Sequence, residues 1–205
     1  MSSNFFLGYV VPGIGIAVTI YAYSLKKYWN PSARTLFYYM LMCSIFNIIA
    51  KATTGSNNLP GLHLYTVLEF LILAWFFSIG EKSKAVYFIL MIGFTALAVW
   101  YGFFYSTIYL YNQIPRFTGS VLLSIFAFRR LIREMDRTNN RFLLLSISGL
   151  VLYYSTCSLL FGLSDMLEKT PKYFTDLVWN THAAIIMCMY LTIAWAYKSL
   201  KRNAT

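Results

Sequence analysis

Among the seven acidic residues of this 205-residue sequence, one carboxylate stands deep inside a long apolar segment. Glu69 lies in the run Gly61 to Gly80, about nine residues from its start. An ionisable group near the centre of a bilayer costs about 2.5 to 3.5 kcal/mol on insertion scales, so it faces the protein interior and has a partner or a task there. Tyr65 and Thr66 precede it by four and three residues, which places all three on one face of a helix. Such a carboxyl can act as a neutral hydrogen-bond donor or as a proton carrier, whereas Lys51 or Arg116 nearby would keep it ionised.

Other polar residues fall at helical intervals in neighbouring apolar segments. Asp176 and Asn180 are one turn apart in the run Thr175 to Tyr197, and His182 follows at nearly the depth of Glu69. Ser44, Asn47 and Lys51 form a stripe in one segment, and Arg116, Ser120 and Ser124 form another. Ser148, Ser155 and Gly162 recur every seventh residue in a third. The spacing predicts a polar cavity in the outer half of a bundle, floored by Glu69 and bounded by Asn47, Lys51, Tyr65, Arg116, Asp176, Asn180 and His182. The competing reading makes Ser, Asn and His interhelical hydrogen-bond partners, with Lys51, Arg116 and Asp176 reaching to the interface.

Several chemistries lack their residues. Thr175 to Tyr197 contains no lysine for a retinal Schiff base. A catalytic zinc needs three protein ligands and an open position; His63 and His182 are the two histidines, with no H-x-x-x-H or H-E-x-x-H spacing. No G-x-S-x-G elbow, P-loop or dinucleotide fingerprint occurs, and Gly13-Ile14-Gly15 lies in an apolar helix with no strand before it. Cys43, Cys157 and Cys188 lie within apolar segments without metal-type spacing and read as packing residues. Neither a metal nor a cofactor is expected.

The elements that must hold these residues follow from composition. Hydrophobic residues make up 59% of the chain and charged residues 12%, about half the charge of a soluble domain. At about 20 residues per span, the apolar blocks predict an all-α polytopic membrane protein with seven transmembrane helices over residues 5–25, 35–54, 61–80, 85–105, 109–131, 142–164 and 175–197. Residues 1–205 form a single integral membrane domain in this reading. Breaks such as Asn30-Pro31, Gly55 to Pro60 and Lys169 to Lys172 sit where the backbone can meet water. Thirteen of the seventeen basic residues fall in the loops after spans one, three and five and in the tail. By the positive-inside rule the amino terminus is outside and the carboxyl terminus inside. The net charge of +10 is thereby explained without nucleic acid. The segment Arg129 to Arg141 anchors topology at an anionic leaflet, with docking of a cytoplasmic partner, or homo-oligomerisation, as further expectations.

Two patterns recur in order. Tyr38-Tyr39 with Cys43-Ser44 in span two parallels Tyr153-Tyr154 with Cys157-Ser158 in span six. Ala74-Trp75 near the end of span three parallels Ala194-Trp195 near the end of span seven. Together with the span count and orientation, these resemble the 3+1+3 plan of sugar-efflux and PQ-loop transporters, although no Pro-Gln dipeptide is present. The resemblance implies two parallel three-helix units joined by span four. The function expected is a solute-binding protein of the plasma or inner membrane, a small transporter or facilitator using the bilayer and a small-molecule substrate as partners. The alternatives are a seven-helix ligand sensor or signalling component, and a lipid-directed acid-base enzyme built on Glu69 and His182.

Overall fold

Every apolar block becomes a helix in the computed structural model, which describes residues 6–53, 58–136 and 140–202. Phe5, Thr54, Gly55 to Asn57 and Arg137, which entered the span limits, a predicted break and the charge assignment, lie outside those residues. The long helices are α1 (Val11–Ser24), α2 (Pro31–Ala52), α3 (Leu59–Ser78), α4 (Lys84–Trp100), α5 (Gln113–Asp136), α6 (Arg141–Gly162) and α7 (Lys172–Arg202). Wider π-type segments, Phe6–Val10 and Tyr101–Tyr105, extend α1 at its start and α4 at its end. One helical turn, Ser164–Glu168, lies between α6 and α7.

Local chemistry sets the boundaries. Pro31 occupies the first turn of α2, where its missing N–H costs nothing, and the Asn30 side chain accepts from the Ala33 N–H at 2.8 Å. Asn140 caps α6 in the same way, accepting from Leu143 N–H at 3.2 Å. Each cap satisfies a backbone donor that the helix cannot pair internally. The turn from α3 to α4 passes through Gly80 at φ +79°, in the left-handed region that a side chain disfavours.

Five helices, α2, α3, α4 with its π extension, α6 and α7, are long and apolar enough to cross a membrane. The other two depart from the seven equal spans expected, for separate reasons. The apolar helical stretch at the start is confined to Gly8–Ser24. Along α5, Arg116 near one end and Arg129 and Arg130 near the other leave Phe117 to Phe128 as the uncharged run, about 18 Å at 1.5 Å per residue.

Six helices form a ring: α1 packs on α2, α2 on α3, α3 on α5, α5 on α6, α6 on α7, and α7 closes on α1. Helix α4 stands outside it, against α3 and the edge of α5. Exchanging α1 to α3 with α5 to α7 leaves the neighbour relations within the ring unchanged. Hydroxyl pairs join the first two helices of each three: Thr19 with Ser44 at 2.9 Å, and Ser124 with Ser155 at 3.1 Å. Gly149 lets α6 press against Thr192 of α7, and Gly15 lets α1 approach the Tyr190 ring. The interior holds Leu36, Met40, Phe77, Phe142, Ile147 and Leu150, all fully buried. The outside is also apolar: Ile89, Ile92, Leu159 and Trp195 are 68%, 70%, 68% and 66% exposed. Apolar side chains on both faces of the ring suit a hydrocarbon surround, since monomers in water rarely expose such large apolar surfaces.

The two ends of the ring differ. At one, Tyr197 near the end of α7 donates to Ala33 C=O at the start of α2 at 2.6 Å, and Arg130 of α5 donates to Ile79 C=O after α3, also at 2.6 Å. This basic end carries an ion-pair cluster. Glu81 meets Arg133 at 2.6 Å, Arg130 at 3.7 Å and Arg129 at 3.9 Å, while Glu134 meets Arg130 at 2.9 Å. Part of the Arg129 to Arg141 segment is therefore spent holding the α3–α4 turn against α5. At the opposite end His63 Nε2 lies 2.9 Å from Leu110 C=O, and Asn112 donates to Thr66 Oγ1 at 2.8 Å, pinning the α4–α5 connection on α3.

Candidate functional site

Midway along α3, the helical interval that links Tyr65 to Glu69 becomes a hydrogen bond: the Tyr65 hydroxyl donates to Glu69 Oε1 at 2.9 Å. The same oxygen accepts from Tyr154 of α6 at 2.8 Å. A phenol has one proton, so both tyrosines spend theirs on the carboxylate. That fixes the direction of the next bonds. Tyr39 of α2, 3.3 Å from Tyr154, must donate to it, and the Cys43 thiol, 3.5 Å from the Tyr65 hydroxyl, can only donate. Two chains, Tyr39 to Tyr154 and Cys43 to Tyr65, thus converge with all protons directed at Glu69. The arrangement is a preformed seat for negative charge. It draws on α2, α3 and α6 and ties the two halves of the ring across its middle.

Arg116 supplies the compensating charge without touching the carboxylate. No ion pair within 4 Å joins them among the described residues, but Arg116 and Glu69 line a common cavity of about 10 Å³ with Thr66, Ser120 and Tyr154. The guanidinium carbon lies 4.4 Å from the centre of the Phe161 ring and 5.9 Å from that of Tyr65, geometry in which aromatic faces favour a cation. Its buried Nε–H has no hydrogen-bond partner among the described residues.

Above this layer opens a cavity of about 330 Å³, in the range of sites for small molecules. It reaches Ala50, Asn58 and Gly61 at the end of the ring opposite the basic cluster. Its walls are mainly aromatic and aliphatic, among them Tyr39, Phe46, Tyr65, Tyr153, Ile186 and Tyr190, and its polar groups include Asn47, Arg116 and His182. Tyr153 stacks on His182 at 5.7 Å, and Trp179 and Phe161 meet the imidazole edge-on. The buried His182 Nδ1 has no hydrogen-bond partner among the described residues.

The structure thus places Asn47, Tyr65, Arg116 and His182 on the main cavity and Glu69 directly behind Tyr65. Lys51, Asp176 and Asn180 stand apart from its lining. Lys51 is exposed and its ammonium lies 3.9 Å from the Tyr9 ring centre; Asp176 is half-buried, and Asn180 Oδ1 is buried with no hydrogen-bond partner among the described residues. His182 and Glu69 share no direct hydrogen bond. Among the described residues no three His, Cys, Asp or Glu side chains gather as metal ligands. Sequence reasoning missed Tyr154 as a partner of the carboxylate, Tyr39 and Cys43 as the groups behind Tyr154 and Tyr65, and Tyr153 and Tyr190 as cavity walls. The signal was present in the paired Tyr-Tyr doublets, which read as repeat markers because tyrosine spacing alone does not reveal that Tyr39 and Tyr154 meet. No family model, curated protein or solved structure matches the chain.

Proposed function

We propose that the chain is an integral membrane protein with seven spans, its amino terminus outside and its basic end inside, which binds a small organic anion in the 330 Å³ cavity and moves it as a transporter or facilitator. The observation that carries this reading is Arg116, a guanidinium on the cavity wall that has, among the described residues, no carboxylate within ion-pair distance and no acceptor for its buried Nε–H. A charge-assisted hydrogen bond to a bound carboxylate would use that capacity. The aromatic walls suit an apolar or aromatic body on the same solute, and Asn47 offers a further polar contact. Glu69, held by its two tyrosines, balances the Arg116 charge across the small cavity the two share.

A ligand sensor is favoured by one feature, the layer between the cavity and the basic end. Phe70, Leu73 and Phe77 of α3 are buried there in one apolar core with Leu36, Ile147 and Leu150, and none of the six lines the cavity. The two readings separate in proteoliposomes. Uptake of a radiolabelled aromatic carboxylate, outpacing that of its neutral amide and lost in Arg116→Gln, is the transporter outcome. Saturable binding with the same preference and no uptake is the sensor outcome. Equal handling of acid and amide by the wild type removes Arg116 from the role given to it.

A further inference from the structure

The ring carries two surface grooves at its basic end, and they occupy corresponding places in its two halves. One, of about 400 Å³, runs between the start of α6 and the end of α7, and its lining includes Arg141, Leu144, Leu145, Trp195, Lys198 and Arg202. The other, of about 710 Å³, runs between the start of α2 and the end of α3, where Arg34, Leu71, Ile72, Trp75 and Lys84 line it. In each, an arginine sits in the opening turns of the second helix of its half, a tryptophan stands near the end of the third, and a lysine completes the rim. The tryptophans are those of the paired Ala-Trp patterns. Neither lining includes a carboxylate. Glu81 and Glu134, at the same end, are engaged by Arg129, Arg130 and Arg133. None of Arg34, Lys84, Arg141 and Lys198 is in an ion pair among the described residues.

The floor below each rim is apolar and leads toward mid-membrane. On the first groove, Leu144 continues to Leu152 along α6 and Trp195 to Leu191 along α7, all exposed. Basic side chains lining a groove above an exposed aliphatic and indole track match a phosphodiester joined to acyl chains. Basic pockets between helices at the cytoplasmic side bind anionic lipid headgroups for this reason, and indole rings settle at headgroup level.

We propose that these grooves are paired sites for an anionic glycerophospholipid, one per three-helix unit, with the phosphate held by Arg141 and Lys198 in one and by Arg34 and Lys84 in the other. The lipid would brace the second helix of each unit against the third at the end where the ring is otherwise joined by side-chain contacts. The inference rests on the membrane reading and is independent of what the central cavity binds.

The test uses the full chain in nanodiscs of phosphatidylcholine mixed with phosphatidylglycerol, followed by native mass spectrometry of retained lipid. Two phosphatidylglycerol molecules should stay with the wild type, one with R141Q/K198Q, one with R34Q/K84Q, and none with all four changes. At about one kcal/mol per basic residue near an anionic surface, each double variant should lose about thirtyfold in preference for phosphatidylglycerol over phosphatidylcholine at its own groove. Quenching of tryptophan fluorescence by brominated phosphatidylglycerol, compared with brominated phosphatidylcholine, reads the same preference without mass spectrometry. All four side chains are exposed, and unchanged thermal unfolding of the variants in detergent will show that their fold is intact. Equal retention of the two lipids, or retention unaltered by the substitutions, overturns the proposal. Protection by inorganic phosphate alone, equal to that by the lipid, also overturns it, since the acyl track would then contribute nothing. Failure of the chain to enter nanodiscs would overturn the membrane reading and this inference with it.

Discussion

Removing the Tyr154 hydroxyl tests the convergent network where its energetics are most specific. In a bilayer the separated helices remain helical, so the stability measured is that of helix association. The bond from Tyr65 to Glu69 joins residues four apart in α3 and survives separation, whereas Tyr154 to Glu69 and Tyr39 to Tyr154 join different helices and do not. Interhelical hydrogen bonds in membrane proteins average about 0.6 kcal/mol and reach about 1.7. The short bond to the carboxylate belongs at the upper end and the longer one between phenols near the mean, so Tyr154→Phe should cost about 2 kcal/mol. Tyr65→Phe should cost less, below about 1 kcal/mol, because its bond to Glu69 exists in both states and only the long Cys43 thiol contact between helices is lost. Tyr39 donates into Tyr154, so Tyr39→Phe should be nearly silent in the Tyr154→Phe background although it is costly alone. The assay is reversible unfolding in mixed detergent micelles titrated with SDS, followed by tryptophan fluorescence. Equal losses for Tyr65→Phe and Tyr154→Phe, or strict additivity of the Tyr39 and Tyr154 changes, would refute the assigned proton directions.

The remaining expectations concern packing and the basic end. Gly149→Val drives a branched side chain into Thr192 and the α7 backbone, an overpacking that should cost about 1 to 3 kcal/mol in the same SDS titration. Thr192→Ala should recover part of that loss. Gly80→Ala, at φ +79°, should lower stability by about 1 to 2 kcal/mol and leave the cavity unaltered, as read by the affinity of whichever carboxylate the wild type binds. Glu81→Gln weakens the hold on three arginines at once; amide exchange should accelerate at Ile79 to Ser83 and at the end of α5, with unchanged exchange at Asn112 to Thr118 as the internal reference.

Glu69 shows how much of the site was written in the chain. Its depth in an apolar run and the four-residue interval from Tyr65 both carry through to the structure, because helical periodicity converts spacing into proximity within one element. Nothing comparable locates Tyr154, 85 residues away. Its approach depends on α6 crossing the ring from α3, a matter of packing between helices that periodicity does not encode. For the same reason Asn47, Arg116 and His182 meet at one cavity, while Lys51, Asp176 and Asn180, equally polar and equally periodic, stand away from its lining.

Composition alone determined that this chain folds as apolar helices, since a backbone with so few solvating side chains must pair its polar groups within each segment. The helix limits also follow from sequence to within a few residues for most segments, because Asn, Pro and Gly act locally on caps and turns. Tertiary structure decided what those helices enclose. It showed that arginines of α5 hold Glu81, and that one tyrosine of each Tyr-Tyr doublet joins the network at Glu69, Tyr154 directly and Tyr39 through Tyr154. It also set α4, as apolar as its neighbours, outside the ring. Hydrophobic residues specify that a helix is buried in something apolar, but lipid and protein satisfy that demand equally, and only side-chain fit between helices distinguishes them.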